Sequence, residues 1–120
     1  MSVQPFPGFD LLESATQPDA GYFFTCLMFG RPNAERNLVI TLRPYRDPSM
    51  AATALDRGNA RRVVQQLTLD SGVNAYSRMV DDEWSSLTWR TGNTVVTVAG
   101  RNATRDNILT AANAVRGAGA

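Results

Sequence analysis

Beyond residue 70 the chain is cut into strand-length pieces by turn residues, and no other feature limits its fold as much. Asp70-Ser71-Gly72, Asp81-Asp82-Glu83 and Thr91-Gly92-Asn93 separate three runs: Val73 to Val80, Trp84 to Arg90 and Thr94 to Ala99. Short runs bounded by Gly, Asn and Asp form hairpins, and glycine supplies the positive φ of a tight turn. Within the runs Leu87 and Trp89 flank Thr88, and Val96 and Val98 stand opposite Val95. This period of two gives each strand one apolar face. Gly100 closes the last run. Asn102 or Thr104 then caps a helix whose Ile108, Leu109, Ala112 and Val115 fall at helical spacing, with Arg105, Asp106, Asn113 and Arg116 facing out.

The first half is less regular. Residues 1–8, with Pro5, Pro7 and Gly8, read as an extended lead-in. Propensity favours a short helix over Phe9 to Ala15. Pro18-Asp19-Ala20-Gly21 is a turn. Tyr22 to Phe29 is apolar except for Thr25 and reads as a strand buried on both faces, at the sheet centre. A polar loop over residues 31–37 leads to an alternating strand, Leu38 to Tyr45. Asp47-Pro48 starts a helix, because aspartate accepts from free backbone N–H groups and proline at the first position loses no needed donor. That helix runs to about Arg57, with Gly58 or Asn59 as its stop. Residues 61–69 suit a strand or a continuation of the helix; the strand is preferred.

The expected fold is a single α+β domain over residues 1–120. An antiparallel sheet of about five or six strands packs one face on two or three helices, the C-terminal helix comes last, and residues 117–120 form a flexible tail. The other face is solvated or forms a binding groove.

Composition removes whole mechanisms. All twelve basic residues are arginine, against eleven acids, and there is no histidine. Without histidine there is no imidazole base, no Ser-His or Cys-His dyad and no histidine-ligated metal. Without lysine there is no Walker-type phosphate loop or Schiff base. Arginine as the sole cation suggests a GC-rich bacterial genome. The near-neutral charge argues against a specific nucleic-acid binder. No apolar run reaches the roughly 20 residues of a membrane span. No secretory signal opens the chain, so the protein is read as cytoplasmic if Met1 is the native start, or extracytoplasmic if an anchor precedes it. Lone Cys26 sits in apolar sequence and reads as an inert buried thiol. No cofactor or metal is expected. The acidic run Asp81-Asp82-Glu83 reads as a solvated turn rather than a cation site.

Binding residues are sought in the arginine-rich middle and at the tryptophans. Residues 31–62 hold seven of the twelve arginines against Glu35, Asp47 and Asp56. Such a face suits a phosphate, an acidic lipid or an acidic partner, or is a mixed-charge surface. The candidates are Arg43, Tyr45, Arg46, Arg61 and Arg62. Trp84 joins them as an outward residue, because a regular strand puts it opposite inward-facing Trp89.

Trp84-Ser85-Ser86-Leu87-Thr88-Trp89-Arg90-Thr91-Gly92-Asn93-Thr94-Val95-Val96 resembles the L-x-W-x-x-G-x-x-Y hairpin of a bacterial family. That family is an uncharacterised domain of membrane-anchored anti-sigma factors and lipoproteins, outside the cytoplasmic membrane. Thr104 to Val115 resembles its closing helix, and Val73-Asn74-Ala75-Tyr76 its preceding strand; the family's glycine near position 74 is absent. The resemblance implies a sensor or interaction module and brings no catalytic residues.

The expected function is a non-enzymatic binding or sensor domain that engages a protein or small apolar ligand through its sheet face. The alternative is a cytoplasmic adaptor, chaperone or immunity-type protein acting as a homodimer. An enzyme is disfavoured, since no acid/base pair with sensible spacing is visible.

Overall fold

A computed structural model describes residues 2–19, 22–30, 37–60, 62, 64–80, 83–101 and 103–116. In chain order the elements are β1 (Ser2–Val3), β2 (Asp10–Asp19), β3 (Tyr22–Gly30), β4 (Asn37–Pro44), α1 (Pro48–Asn59), β5 (Val64–Thr68), β6 (Asn74–Val80), β7 (Glu83–Thr91), β8 (Thr94–Arg101), α2 (Arg105–Asn113) and β9 (Val115–Arg116). The fold is α+β and its strand pairs are antiparallel.

Two glycine turns and both helix N-caps act as their chemistry predicts, whereas Pro18 and Asp19, expected in a turn, belong to β2. Gly72 and Gly92 take positive φ between β5 and β6 and between β7 and β8. Asp47 Oδ1 accepts from the Met50 N–H at 2.8 Å, with Pro48 in the first turn of α1. Thr104, rather than Asn102, caps α2: its hydroxyl accepts from the Asn107 N–H, and the Asn107 side chain accepts from the Thr104 N–H. This reciprocal box satisfies two otherwise orphaned donors. Helix α1 runs through Gly58 to Asn59, so neither residue is its stop, and β8 continues past Gly100 to Arg101.

Among the described residues seven strands form the main sheet, in the order β2-β3-β4-β8-β7-β6-β5, more than the five or six expected from the sequence. The additional strand is β2, over the stretch whose propensity favours a helix. Its backbone is taken by β3 from Asp10↔Gly30 to Asp19↔Tyr22, and that pairing overrides local preference. Being second from the edge, β3 is not a doubly buried central strand: Phe29 is buried, but Met28 on the other face is 39% exposed. Cys26 is likewise only half-buried, with Sγ 3.9 Å from the Thr41 hydroxyl.

One face of the sheet carries the core. Leu38, Ile40, Leu87, Trp89, Val96 and Val98 meet Ile108, Ala111 and Ala112 of α2. Phe6 and Phe9 close it beside Phe29, with ring centroids 5.0 Å apart for Phe6 and Phe29. The lead-in is therefore built into the domain. Ser2 and Val3 pair with Arg116 and Val115, and the Gln4 N–H donates to the Ala114 carbonyl at 2.8 Å. Val115 thus belongs to β9 and not to the helix. Residues 117–120 lie outside the described chain.

Among the described residues there are two helices, and they do not share a face. Val96 and Val98 point to α2, so by alternation Val95 and Thr97 point the other way, where Ala54, Leu55 and Gly58 of α1 face them across a cleft. Helix α1 links β4 to the far edge strand β5 and so crosses the sheet, covering the side expected to be solvated or grooved. Among the described residues, no helix is long and apolar enough to cross a membrane.

Candidate functional site

The sheet face beneath α1 has a polar floor. One register row across all seven strands reads Ala15, Cys26, Thr41, Thr97, Thr88, Tyr76 and Gln66. Threonine suits a pleated surface, so these positions keep strand propensity while bringing hydroxyls. Thr88 is fully buried; its hydroxyl donates to the Val96 carbonyl at 3.0 Å and lies 3.1 Å from the Thr97 hydroxyl. The buried Thr88 hydroxyl is thereby satisfied without filling the space above it.

That space is a cleft of about 300 Å³ between α1 and the sheet. Its floor is Thr41 and Arg43 of β4 with Val95 and Thr97 of β8. Ala54, Leu55 and Gly58 of α1 form the roof, Tyr45 stands in the loop before α1, and Arg78 of β6 completes the wall. Among the described residues the lining thus holds two guanidiniums, a phenol and two threonine hydroxyls beside an aliphatic strip, and no carboxylate.

Arg78 is held against the end of α1. Its Nε–H donates to Asn59 Oδ1 at 3.0 Å. Its Nη2 lies 2.6 Å from where a Cβ on residue 58 would be, so glycine there gives the guanidinium its place against the last turn of α1. Burial lowers its pKa below the ordinary arginine value, and the positive charge of Arg62 lowers it further. It remains a cation at neutral pH. Neither influence is a carboxylate, and a paired acid would act in the opposite direction.

Of the residues marked by sequence, the cleft gathers Arg43 and Tyr45. The Arg43 guanidinium stacks over the Phe24 ring, 4.8 Å from its centroid. Tyr45 is held through its backbone: its N–H donates to the Asn93 carbonyl at 2.7 Å, and Asn93 Nδ2 donates to the Tyr45 carbonyl at 2.8 Å. The β7–β8 turn therefore fixes the loop that enters α1. Arg46 and Arg62 are exposed, before and after α1, and line no wall of the cleft. Arg61 lies outside the described residues.

Trp84 belongs to the opposite face, which corrects its expected outward position. The register of β6 with β7 shifts between Arg78↔Ser86 and Met79↔Trp84, leaving Ser85 as an extra residue. The Ser85 hydroxyl donates to the Arg78 carbonyl at 3.0 Å and ties down this bulge. An inserted residue reverses the alternation beyond it. Trp84 accordingly packs against the same core as Trp89, with the Arg105 guanidinium of α2 4.8 Å above its ring.

Sequence reasoning overlooks Arg78, Thr41, Thr97 and the α1 roof. A lone arginine in a strand reads as solvent-facing, and Gly58 reads as a helix stop. The usable signal is a glycine inside a capped helix, which marks a close approach by another group. No cluster of metal-ligating side chains forms among the described residues, and Asp81 and Asp82 lie outside them. No protein family, curated protein or solved structure matches the chain.

Proposed function

We propose that this protein is a non-enzymatic binding domain that takes a small ligand in the cleft between α1 and the sheet. The observation that carries the reading is the cleft itself: space at the small end of the roughly 300–1,000 Å³ of ligand sites, roofed by a helix and walled by a few convergent polar groups. Its position differs from a groove on an open sheet face, because α1 shields it from one side. Ligand binding there would bridge α1 to β4, β6 and β8, which is how a sensor domain could couple occupancy to the seating of a helix.

Ala54→Trp tests this. Ala54 lines the cleft and is not fully buried, so an indole there occupies ligand space without removing the buried Leu55. A panel of small organic acids, alcohols and amines, screened by thermal shift with native mass spectrometry, should yield a ligand that stabilises the natural sequence and not the variant. Ligands that bind both equally would place binding elsewhere and end the proposal.

The protein-partner reading has its own observation. Leu11 and Leu12 are 55% and 50% exposed on the outer strand β2. A homodimer by backbone pairing along β2 is opposed by the bulge at Leu12 and by Pro18, both of which blunt a sheet edge. Sedimentation of the natural sequence against Leu11→Asp/Leu12→Asp separates the cases: a dimer lost in the double variant supports this second reading, and a monomer throughout removes self-association.

A further inference from the structure

Resting on the cleft as the binding site, the class of ligand follows from its walls. We propose that the cleft selects a small amphipathic carboxylate, with Arg78 holding the anionic head and the aliphatic strip of Leu55, Ala54 and Val95 taking the body.

Three observations converge on this. The described lining contains two guanidiniums and several hydroxyls and no acid, so an anion is favoured there over a cation. Arg78 is positioned before any ligand arrives. Asn59 takes its Nε–H, and the bare Cα of Gly58 sets where Nη2 lies. A planar guanidinium fixed in this way matches the two oxygens of a carboxylate and loses little freedom on binding. Arg43 is different: stacked on Phe24, it adds positive potential at the other side of the cleft. The third observation is repulsion. Arg62 acts on a partly buried Arg78, and an anion at Arg78 relieves both burdens. The aliphatic strip then asks for an apolar body, which separates this ligand from a bare inorganic anion.

The same guanidinium also favours the C-terminal end of α1, where backbone carbonyls point outward, and a purely structural role there would be indifferent to ligand charge. The experiment must therefore read charge selectivity. Octanoate, octanol and inorganic phosphate serve as probes of head with body, body alone and head alone, titrated by calorimetry into the whole chain. Octanoate should bind more tightly than either control. Arg78→Gln should raise its Kd about tenfold or more, the usual scale for losing a charge-assisted hydrogen bond. Gly58→Ala, which keeps α1 and displaces Nη2, should weaken octanoate in the same direction, and it covers the case in which Arg78→Gln fails to fold. Octanol binding as tightly as octanoate, or phosphate doing so, overturns the amphipathic carboxylate. If that octanol binding vanishes in Ala54→Trp, the cleft still stands as the binding site. Octanoate binding unchanged in Ala54→Trp overturns the site and the ligand class together.

Discussion

Adjacent register rows on the two faces of one sheet carry different chemistry. Toward α2 the row reads Ser14, Leu27, Ile40, Val98, Leu87, Ser77 and Gln65; toward α1 it reads Ala15, Cys26, Thr41, Thr97, Thr88, Tyr76 and Gln66. In the centre of the first, Ile40, Val98 and Leu87 are fully buried and belong to one apolar core with Ile108. In the centre of the second, threonines satisfy one another and leave about 300 Å³ open under a helix. Close packing of apolar groups supplies stability, and space beside satisfied polar groups supplies a place for a ligand. The difference teaches that stability and recognition are divided between the two sides of the same strands.

The largest expected effect lies on the α2 side. Trp89 is 3% exposed in the core, and Trp89→Ala should cost about 3–5 kcal/mol in denaturant unfolding by leaving a cavity. A loss below about 1 kcal/mol would show that this face is not the main core.

A pair of glycines sharpens the comparison next. A Cβ on Gly100 would meet Ala103 Cβ at 2.6 Å, Leu38 Cδ2 at 3.2 Å and Ile108 Cγ1 at 3.3 Å. Gly100→Ala must push α2 away from the sheet, and overpacking of this kind should cost about 1–3 kcal/mol. On the α1 side, Thr88→Val keeps the shape and removes a hydroxyl that donates to the Val96 carbonyl, so about 1 kcal/mol should be lost. Smallest is Gly58→Ala. Its Cβ also comes within 2.6 Å of an atom, but that atom is a side-chain terminus, Arg78 Nη2, which can shift toward the open cleft where packed core groups cannot. Helix propensity gains up to about 1 kcal/mol, so the melting temperature should hold or rise. If Gly58→Ala destabilises as much as Gly100→Ala, the α1 side is as tightly packed as the α2 side and the contrast fails.

Most of the strands were legible because their turns are explicit. Gly72 and Gly92, the Asp47 cap and the Thr104 box each act through a local mechanism that a sequence displays. What was not legible depends on distant partners. Asp10–Asp19 carries helix-favouring residues such as Leu11, Leu12, Glu13 and Ala15, and becomes a strand only because β3 offers it an edge. Trp84 changes face through one inserted residue, Ser85, whose effect exists only in the pairing with β6. Part of the candidate site was visible, as Arg43 and Tyr45, from local charge and aromaticity. Arg78 was hidden because its place is made by Gly58 and Asn59, far from it in sequence.

The most direct measurement is an amide and methyl NMR titration of the whole chain with octanoate. The division between faces predicts saturable shifts at Thr41, Leu55, Gly58, Arg78, Val95 and Thr97, with Leu87, Val98 and Ile108 staying still. Shifts centred on Ile108, Val98 and Leu87, with the α1 side unmoved, would place the open space on the wrong side of the sheet and contradict it.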